Sequence, residues 1–214
     1  MRLPDNWKNA RVTLAIALVT TAAWLLVALF GLDEWAAIGG GFLPARLAYG
    51  GDEALAPFWL TPLTATLLHG GPVHLAFNLL ILVFCGRPVE SVLGPLGLAI
   101  LYVVGAYAAA AAQYAMDPLS PVPMIGASGA VSAVIGAYAM LFGRNKVKIA
   151  NARLALWLNA LWLMAAWVVL QVIVGVGLSA AAGGIQVAVA AHVGGFLAGL
   201  LLAYPLLLFR YRKA

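Results

Sequence analysis

Long apolar stretches separated by short polar segments make up most of this sequence. Each crossing of a bilayer core needs about 20 largely apolar residues, and glycine, proline or charged residues end each stretch here. The second stretch is short, so residues 63–68 are candidates to extend it. The pattern predicts an all-α membrane protein, a polytopic bundle of six transmembrane helices over residues 12–32, 72–86, 96–115, 126–142, 154–174 and 185–209.

Composition agrees with a chain whose main solvent is lipid. Hydrophobic residues make up 64% of the 214 residues and charged residues only 9%, against about 45–50% and 25% in soluble domains. Such a composition excludes a soluble domain, a disordered chain and a disulfide scaffold. The first stretch exceeds a secretory h-region and lacks a small-residue cleavage site, so we expect it to remain a span.

The chain shows neither a repeat of fixed period nor a linker between hydrophobic blocks, which predicts a single helical domain. The longest connection carries four aromatic residues that we expect at the level of the lipid headgroups, namely Trp35, Phe42, Phe58 and Trp59. The predicted parts are a cytosolic N-terminal segment at 1–11, a single six-helix transmembrane domain at 12–209 with an interfacial first loop at 33–71, and a cytosolic basic tail at 210–214.

The distribution of charge predicts the orientation. With six spans, all but Arg46 of the 12 basic residues fall on one side, and cytoplasmic loops retain Lys and Arg. Both termini are therefore predicted to be cytosolic, with spans two, four and six entering from the outer face. The net charge of +5 then reflects membrane insertion and anionic lipid, and nucleic acid is not expected as a partner.

Few strongly polar residues lie inside the predicted spans, and such residues are functional candidates because the bilayer penalises them. His74 and Asn78 lie four apart on one face of span two, Ser128 begins span four, and His192 lies early in span six. At 1.5 Å per residue, all four fall within roughly the outer 10 Å of their helices. They are predicted to share a depth.

Ser128 and His192 have the chemistry of a nucleophile and its base. Ser128 lies in the sequence Gly-Ala-Ser-Gly, where Gly126 and Gly129 allow close approach and a helix N-terminus supplies free N–H donors. Gly195 and Gly199 follow His192 on one helical face, a seam that would bring its imidazole against span four. No span contains an aspartate, so the prediction is a Ser–His dyad. The alternatives are a small packing residue for Ser128 and a histidine bonded to a backbone carbonyl for His192.

Four further polar residues have weaker predicted roles. His74 and Asn78 are candidate donors to an oxyanion, with interhelical hydrogen bonding as the alternative. His69 is predicted to be a structural hydrogen-bonding residue near the surface. Glu90 is predicted to be a loop tether on the cytosolic side, with a solvated charge as the alternative.

These motifs resemble, in order along residues 59–199, the rhomboid intramembrane serine proteases, specifically the six-span bacterial form. The resemblance rests on the segment 69–78, on Gly86 with Glu90 and Gly94, on 126–129, and on 191–192 with the two following glycines. It implies that Ser128 is the nucleophile and His192 its base. It further implies an oxyanion hole of His74, Asn78 and the Ser128 N–H, a structural or water-retaining His69, and a Glu90 that braces the loops.

Two positions depart from the pattern of that family. Many members carry a Trp-Arg pair in the first loop, where this chain has Trp59-Leu60-Thr61. An aromatic residue often follows the serine by four positions and stacks on the histidine, whereas this chain has Ser132 there. Another residue must therefore orient His192, or its ring is looser.

The predicted activity is cleavage of single-span membrane proteins near the outer membrane boundary through an acyl-enzyme, without cofactor or metal and with a monomer sufficient for catalysis. The predicted location is a bacterial inner membrane, with the site open to the periplasmic or extracellular side. One alternative is a small channel or transporter that uses intramembrane histidines. A metalloprotease is disfavoured because the chain has no H-E-x-x-H motif, and a catalytically dead binding scaffold because both dyad residues are present. Trp157, Trp162 and Trp167 of span five are candidates for a bulky lateral gate.

Overall fold

The computed structural model of the chain describes residues 10–50, 56–143, 151–182 and 188–212. In these ranges the extended backbone pairs only at an isolated bridge between Phe42 and Met124. Short 3-10 turns occupy Phe58–Leu60 and Ala65–Leu67. The helices are α1 Arg11–Leu29, α2 Asp33–Gly40, α3 Arg46–Tyr49, α4 Thr61–Thr64, α5 Pro72–Met116, α6 Ser128–Phe142, α7 Ala152–Ala182 and α8 Val189–Tyr211.

Three of the helices in the described ranges, α1, α5 and α8, are long and apolar enough to cross a bilayer. Helix α6 and the Leu154–Leu170 part of α7 are shorter apolar helices. The predicted class, an all-α polytopic membrane protein, is confirmed, while the count of six crossings stays a prediction. Most of the predicted N-terminal segment and the end of the basic tail lie outside the described residues, as do residues 183–187 before α8.

Helix α5 contains the second and third predicted spans, which meet at a corner without the polar loop expected between them. The helical backbone is interrupted at Gly94, where φ is 77° and ψ is 169°, a conformation that glycine adopts without strain. Pro95 follows, and proline favours the first turn of a new helix. Arg210 of α8 donates Nη1 to the carbonyl of Ser91 at 2.9 Å, which suits a cation at a helix C-terminus.

Glu90 lies inside α5 and is buried, so the prediction of a loop tether differs from the structure. Its carboxylate oxygens accept hydrogen bonds from the backbone N–H of Val12 at 2.9 Å and of Thr13 at 2.8 Å. The Thr13 hydroxyl donates to the same carboxylate at 2.7 Å. A charge from α5 thus caps the first turn of α1, where the helix dipole favours an anion.

Helix α6 forms the centre of the bundle, since nearly all of its residues from Ser128 to Met140 are buried. A helix that is apolar on all sides is expected in such a core. It packs closely on α8, where a Cβ at Gly136 would collide with the backbone of Phe196. The floor beneath Ser128 is apolar, with Val131, Val134 and Ile135 all buried.

The first loop folds into short helices and turns. Phe42 is buried against the ring of Phe58, with centroids 5.3 Å apart, whereas Trp35 and Trp59 are exposed. Phe42 therefore packs inside the first loop, while the depth of all four aromatics relative to the lipid headgroups stays a prediction. Residues 63–68 do not extend α5, because they form a separate helical turn and a 3-10 turn before Pro72.

Candidate active site

Ser128 is the first residue of α6, and the preceding turn is held by the first loop. Gly126 adopts a φ of 114°, which favours glycine, and its N–H donates to the carbonyl of Ala65 at 2.9 Å. The Ala127 N–H donates to Nε2 of His69 at 3.3 Å. These two bonds hold the turn that precedes α6. As at any helix N-terminus, the first backbone N–H groups of α6 have no partners within the helix.

Ser128 and His192 come together although 64 positions separate them in the chain. The Nε2 atom of His192, in the first turns of α8, lies 2.8 Å from Oγ of Ser128. Ser128 is 8% exposed and His192 4% exposed. For Nε2 to accept the serine proton, Nδ1 must carry the ring proton. Among the described residues, Nδ1 of His192 has no hydrogen-bond partner.

Glycines allow this approach of α8 to α6. A Cβ at Gly195 would collide with the carbonyl oxygen of Gly129, and a Cβ at Gly199 would collide with that of Ala133. Gly129 in turn faces α5, where an added Cβ would lie 2.5 Å from Cβ of Ala109. The small residues after His192 therefore pack against α6, the helix that carries Ser128.

His74 and Asn78 both lie in the first two turns of α5, and the His74 ring lies beside Gly126. A Cβ at Gly126 would lie 2.7 Å from Nε2 of His74 and 3.8 Å from Oγ of Ser128. Nδ1 of His74 accepts a long hydrogen bond from the Gly70 N–H at 3.4 Å, which leaves the ring proton on Nε2. The Asn78 amide is buried, and Nδ2 donates to the His74 carbonyl at 2.9 Å with one hydrogen still available.

His69 lies between the first loop and α5, and it is buried rather than near the surface as predicted. Burial, together with a smaller electrostatic effect of nearby His74, lowers the pKa of its imidazole to about 3, and a hydrogen bond with the Leu67 backbone opposes both effects. The two histidine rings are 5.0 Å apart. A neutral His69 keeps the lone pair that accepts the Ala127 N–H, so its contacts are those of a support for the serine turn.

A family model described as "Rhomboid domain" matches residues 57–209, more than two thirds of the chain. The match includes Ser128, His192, His74 and Asn78. The chain belongs to the rhomboid family. A bilayer is therefore its environment, in agreement with the apolar helices.

Several curated proteins resemble this rhomboid chain. Rhomboid-related protein 2 of Mus musculus is 33% identical over 107 residues, which cover 50% of this chain and 34% of that protein. RHOMBOID-like protein 4 of Arabidopsis thaliana is 31% identical over 170 residues, which cover 78% of this chain and 38% of that protein. Rhomboid protease GluP of Bacillus subtilis (strain 168) is 29% identical over 148 residues, which cover 69% of this chain and 26% of that protein. The chain thus spans about a third of the length of these relatives.

Other contacts hold the first loop where the Trp-Arg pair of many rhomboids is missing. Tyr107 of α5 donates its hydroxyl to the Trp59 carbonyl at 3.0 Å. The Thr61 hydroxyl donates to the Phe58 carbonyl at 2.6 Å. Arg46 of α3 donates Nη2 to the carbonyl of Ala56 at 3.2 Å. The Tyr107 side chain therefore anchors the loop to α5, and Arg46 links two segments within the loop.

Trp167 of α7 is a neighbour of the dyad that sequence reasoning assigned to a lateral gate. It is 5% exposed, whereas Trp157 and Trp162 of the same helix are 48% and 62% exposed. The Trp167 and His192 rings form a T-shaped pair, with centroids 6.3 Å apart and an interplanar angle of 62°. The signal in the sequence was the small polar residue four positions after Ser128, which leaves room for an aromatic from another helix.

Proposed function

We propose that this rhomboid is an intramembrane serine endopeptidase that cuts single-span membrane proteins near the outer membrane boundary. The observation that carries the proposal is the 2.8 Å separation of Ser128 Oγ and His192 Nε2 inside the bundle. A serine hydroxyl is a poor nucleophile until a positioned base takes its proton, and a neutral imidazole at hydrogen-bond distance can do so.

In the proposed reaction, His192 removes the Oγ proton as Ser128 attacks the scissile carbonyl carbon. A tetrahedral intermediate forms, and His192 then protonates the leaving amine as the C–N bond breaks. The product is an ester of Ser128. Water, deprotonated by His192, attacks the ester carbonyl; the C–Oγ bond then breaks as His192 returns the proton to Oγ, which releases the carboxyl product and restores the serine. Each step uses one acid or base, so the dyad suffices without an aspartate, and both residues belong to one chain.

The negative oxygen of the tetrahedral intermediate needs donors on the opposite side from His192. The Ser128 N–H, the Nε2–H of His74 and the second Nδ2 hydrogen of Asn78 are proposed to supply them. Loss of one such donor typically costs about 10²–10³ in turnover. The position of His74 beside Gly126 supports this assignment.

Hydrolysis needs water, which the bilayer core lacks. We infer that the site opens to the periplasmic or extracellular side of a bacterial inner membrane, because Ser128, His74 and His192 all lie in the first turns of their helices and the basic residues favour cytosolic termini. Peptide bonds in a substrate helix are shielded by their own hydrogen bonds. Substrates with glycine, proline or other helix-destabilising residues near the outer boundary are therefore expected to be cut most readily.

The direct test is cleavage of a reporter span by the purified full chain in proteoliposomes. Ser128→Ala and His192→Ala should abolish cleavage while the protein keeps its thermal unfolding midpoint. Ser91→Ala is the matched control, since this α5 serine donates only to the Pro88 carbonyl in the same helix and should leave cleavage unchanged. Full activity in either dyad variant would refute the proposal.

A further inference from the structure

The His192 ring needs a contact that keeps its Nε2 pointing at Ser128. One hydrogen bond to a freely rotating hydroxyl does not fix the plane of an imidazole, and Nδ1 has no partner among the described residues. Ser132, at the position where many rhomboids carry an aromatic, is too short to stack on the ring. The contact must come from another helix.

Trp167 supplies an aromatic face or edge to that ring, and its own position is fixed by Ser132. The indole Nε1–H of Trp167 donates to the Ser132 hydroxyl at 2.7 Å, and that hydroxyl donates to the Ser128 carbonyl at 2.7 Å. A buried indole N–H requires such a partner. The Ser132 hydroxyl thus uses its one proton toward Ser128 and a lone pair toward Trp167.

These contacts form a closed circuit through three helices. It runs from the Ser128 carbonyl to Ser132 within α6, to Trp167 on α7, to His192 on α8, and back to the Ser128 hydroxyl. Because both ends lie on one residue, the imidazole is positioned relative to the same helical turn that carries the nucleophile.

We propose that Trp167 is a positioning residue that orients His192, with Ser132 as its anchor on α6. The expected effect of Trp167 on kcat rests on the proposed function, whereas its effect on the orientation of the His192 ring does not. In many rhomboids a single aromatic on the serine helix does this work. Here the task is divided between a hydroxyl on that helix and an indole from α7.

The kinetic test compares Trp167→Phe, Trp167→Leu, Ser132→Ala and the double variant S132A/W167F in proteoliposomes. Trp167→Leu should lower kcat by about 10–100-fold at unchanged KM, because a misplaced base slows chemistry rather than binding. Trp167→Phe keeps a ring beside His192 and should lose less. The double variant should be no worse than the poorer single variant, since both remove the same hydrogen bond. Leu161→Ala is the control, as this side chain of the same helix is 53% exposed and should affect neither constant.

A second readout does not depend on activity. The chain has three histidines, so selective ¹⁵N labelling of the full protein in micelles gives three imidazole spectra, and His192→Ala identifies the one of interest. The wild-type spectrum should show one protonated and one bare ring nitrogen, whereas Trp167→Leu should show averaged nitrogens. Should the wild type cleave no reporter, the proposed function fails while this spectrum still tests the role of Trp167. Wild-type kcat and an unchanged ring spectrum in both Trp167 variants would overturn the inference, as would a raised KM at constant kcat.

Discussion

Replacing Gly195 by alanine tests whether α6 and α8 must lie as close as the structure has them. A Cβ at Gly195 would lie 3.0 Å from the carbonyl carbon of Gly129 and 3.3 Å from Cβ of Ser132, and it would collide with the Gly129 carbonyl oxygen. The obstacle is backbone, which cannot rotate away. Non-bonded atoms prefer about 3.5–4.0 Å, so the helices must part by about 1 Å at this level.

The consequence for the dyad follows from geometry. His192 precedes this contact by one helical turn on the same helix, so its Nε2 should move from 2.8 Å to about 3.8 Å from the serine oxygen, beyond hydrogen-bond range. A displacement of that size costs about 10² in rate. Overpacking should also lower the unfolding free energy by about 1–3 kcal/mol.

The assay is reporter cleavage in proteoliposomes, with the unfolding midpoint measured on the same preparations. Leu201→Ala is the matched control, because this α8 side chain is 69% exposed and should leave the rate unchanged. We expect Gly195→Ala to stay folded and to cleave about 10²-fold more slowly. Wild-type cleavage by Gly195→Ala would refute the close approach of the two helices.

Three further changes test the supports of the site. Glu90→Gln should lower the unfolding free energy by about 1–3 kcal/mol in chemical unfolding, because an amide nitrogen cannot accept the bonds that Thr13 and its neighbour donate; an unchanged free energy would contradict the cap. The pKa of His69 is about 3 in the folded protein and about 6.5 in the unfolded chain. The protonation of His69 therefore does not reduce the free energy of unfolding above pH 6.5. Below pH 6.5 the unfolded chain binds this proton and the folded protein does not, so the free energy of unfolding falls by up to about 1.4 kcal/mol per pH unit toward pH 3. Unfolding midpoints of His69→Gln should therefore vary less between pH 6.5 and 4.5 than those of the wild type. An equal change of midpoint with pH in both proteins would contradict this effect of His69. Gly126→Ala should cut cleavage at least tenfold, since its φ of 114° strains an L-residue and its Cβ would lie 2.7 Å from the His74 ring; a normal rate would show that this turn tolerates a side chain.

Hydropathy was enough to predict the fold class, because lipid permits few structures other than helices. It did not predict the corner at Gly94, although Gly94-Pro95 is a helix-end signal, because Arg87 and Glu90 suggested a polar loop. The buried carboxylate of Glu90 accepts hydrogen bonds from the N-terminus of α1. A contact across 77 or 78 positions leaves no local trace in the sequence.

The dyad was predictable as a pair of residues, since polar groups inside spans are few and chemically telling. The orientation of α7 was not predictable. Trp157, Trp162 and Trp167 are spaced five residues apart, so successive rings point about 140° apart around the helix. Nothing in that spacing says which ring faces the core. The partner on α6 decides it, because only Trp167 reaches the Ser132 hydroxyl.

We propose that His192 makes Ser128 nucleophilic. Labelling the purified full chain with a fluorophosphonate probe and mapping the modified residue by mass spectrometry tests this proposal. We expect one adduct at Ser128 in the wild type and none in His192→Ala or Ser128→Ala. An adduct at another serine, or undiminished labelling of Ser128 without His192, would contradict it.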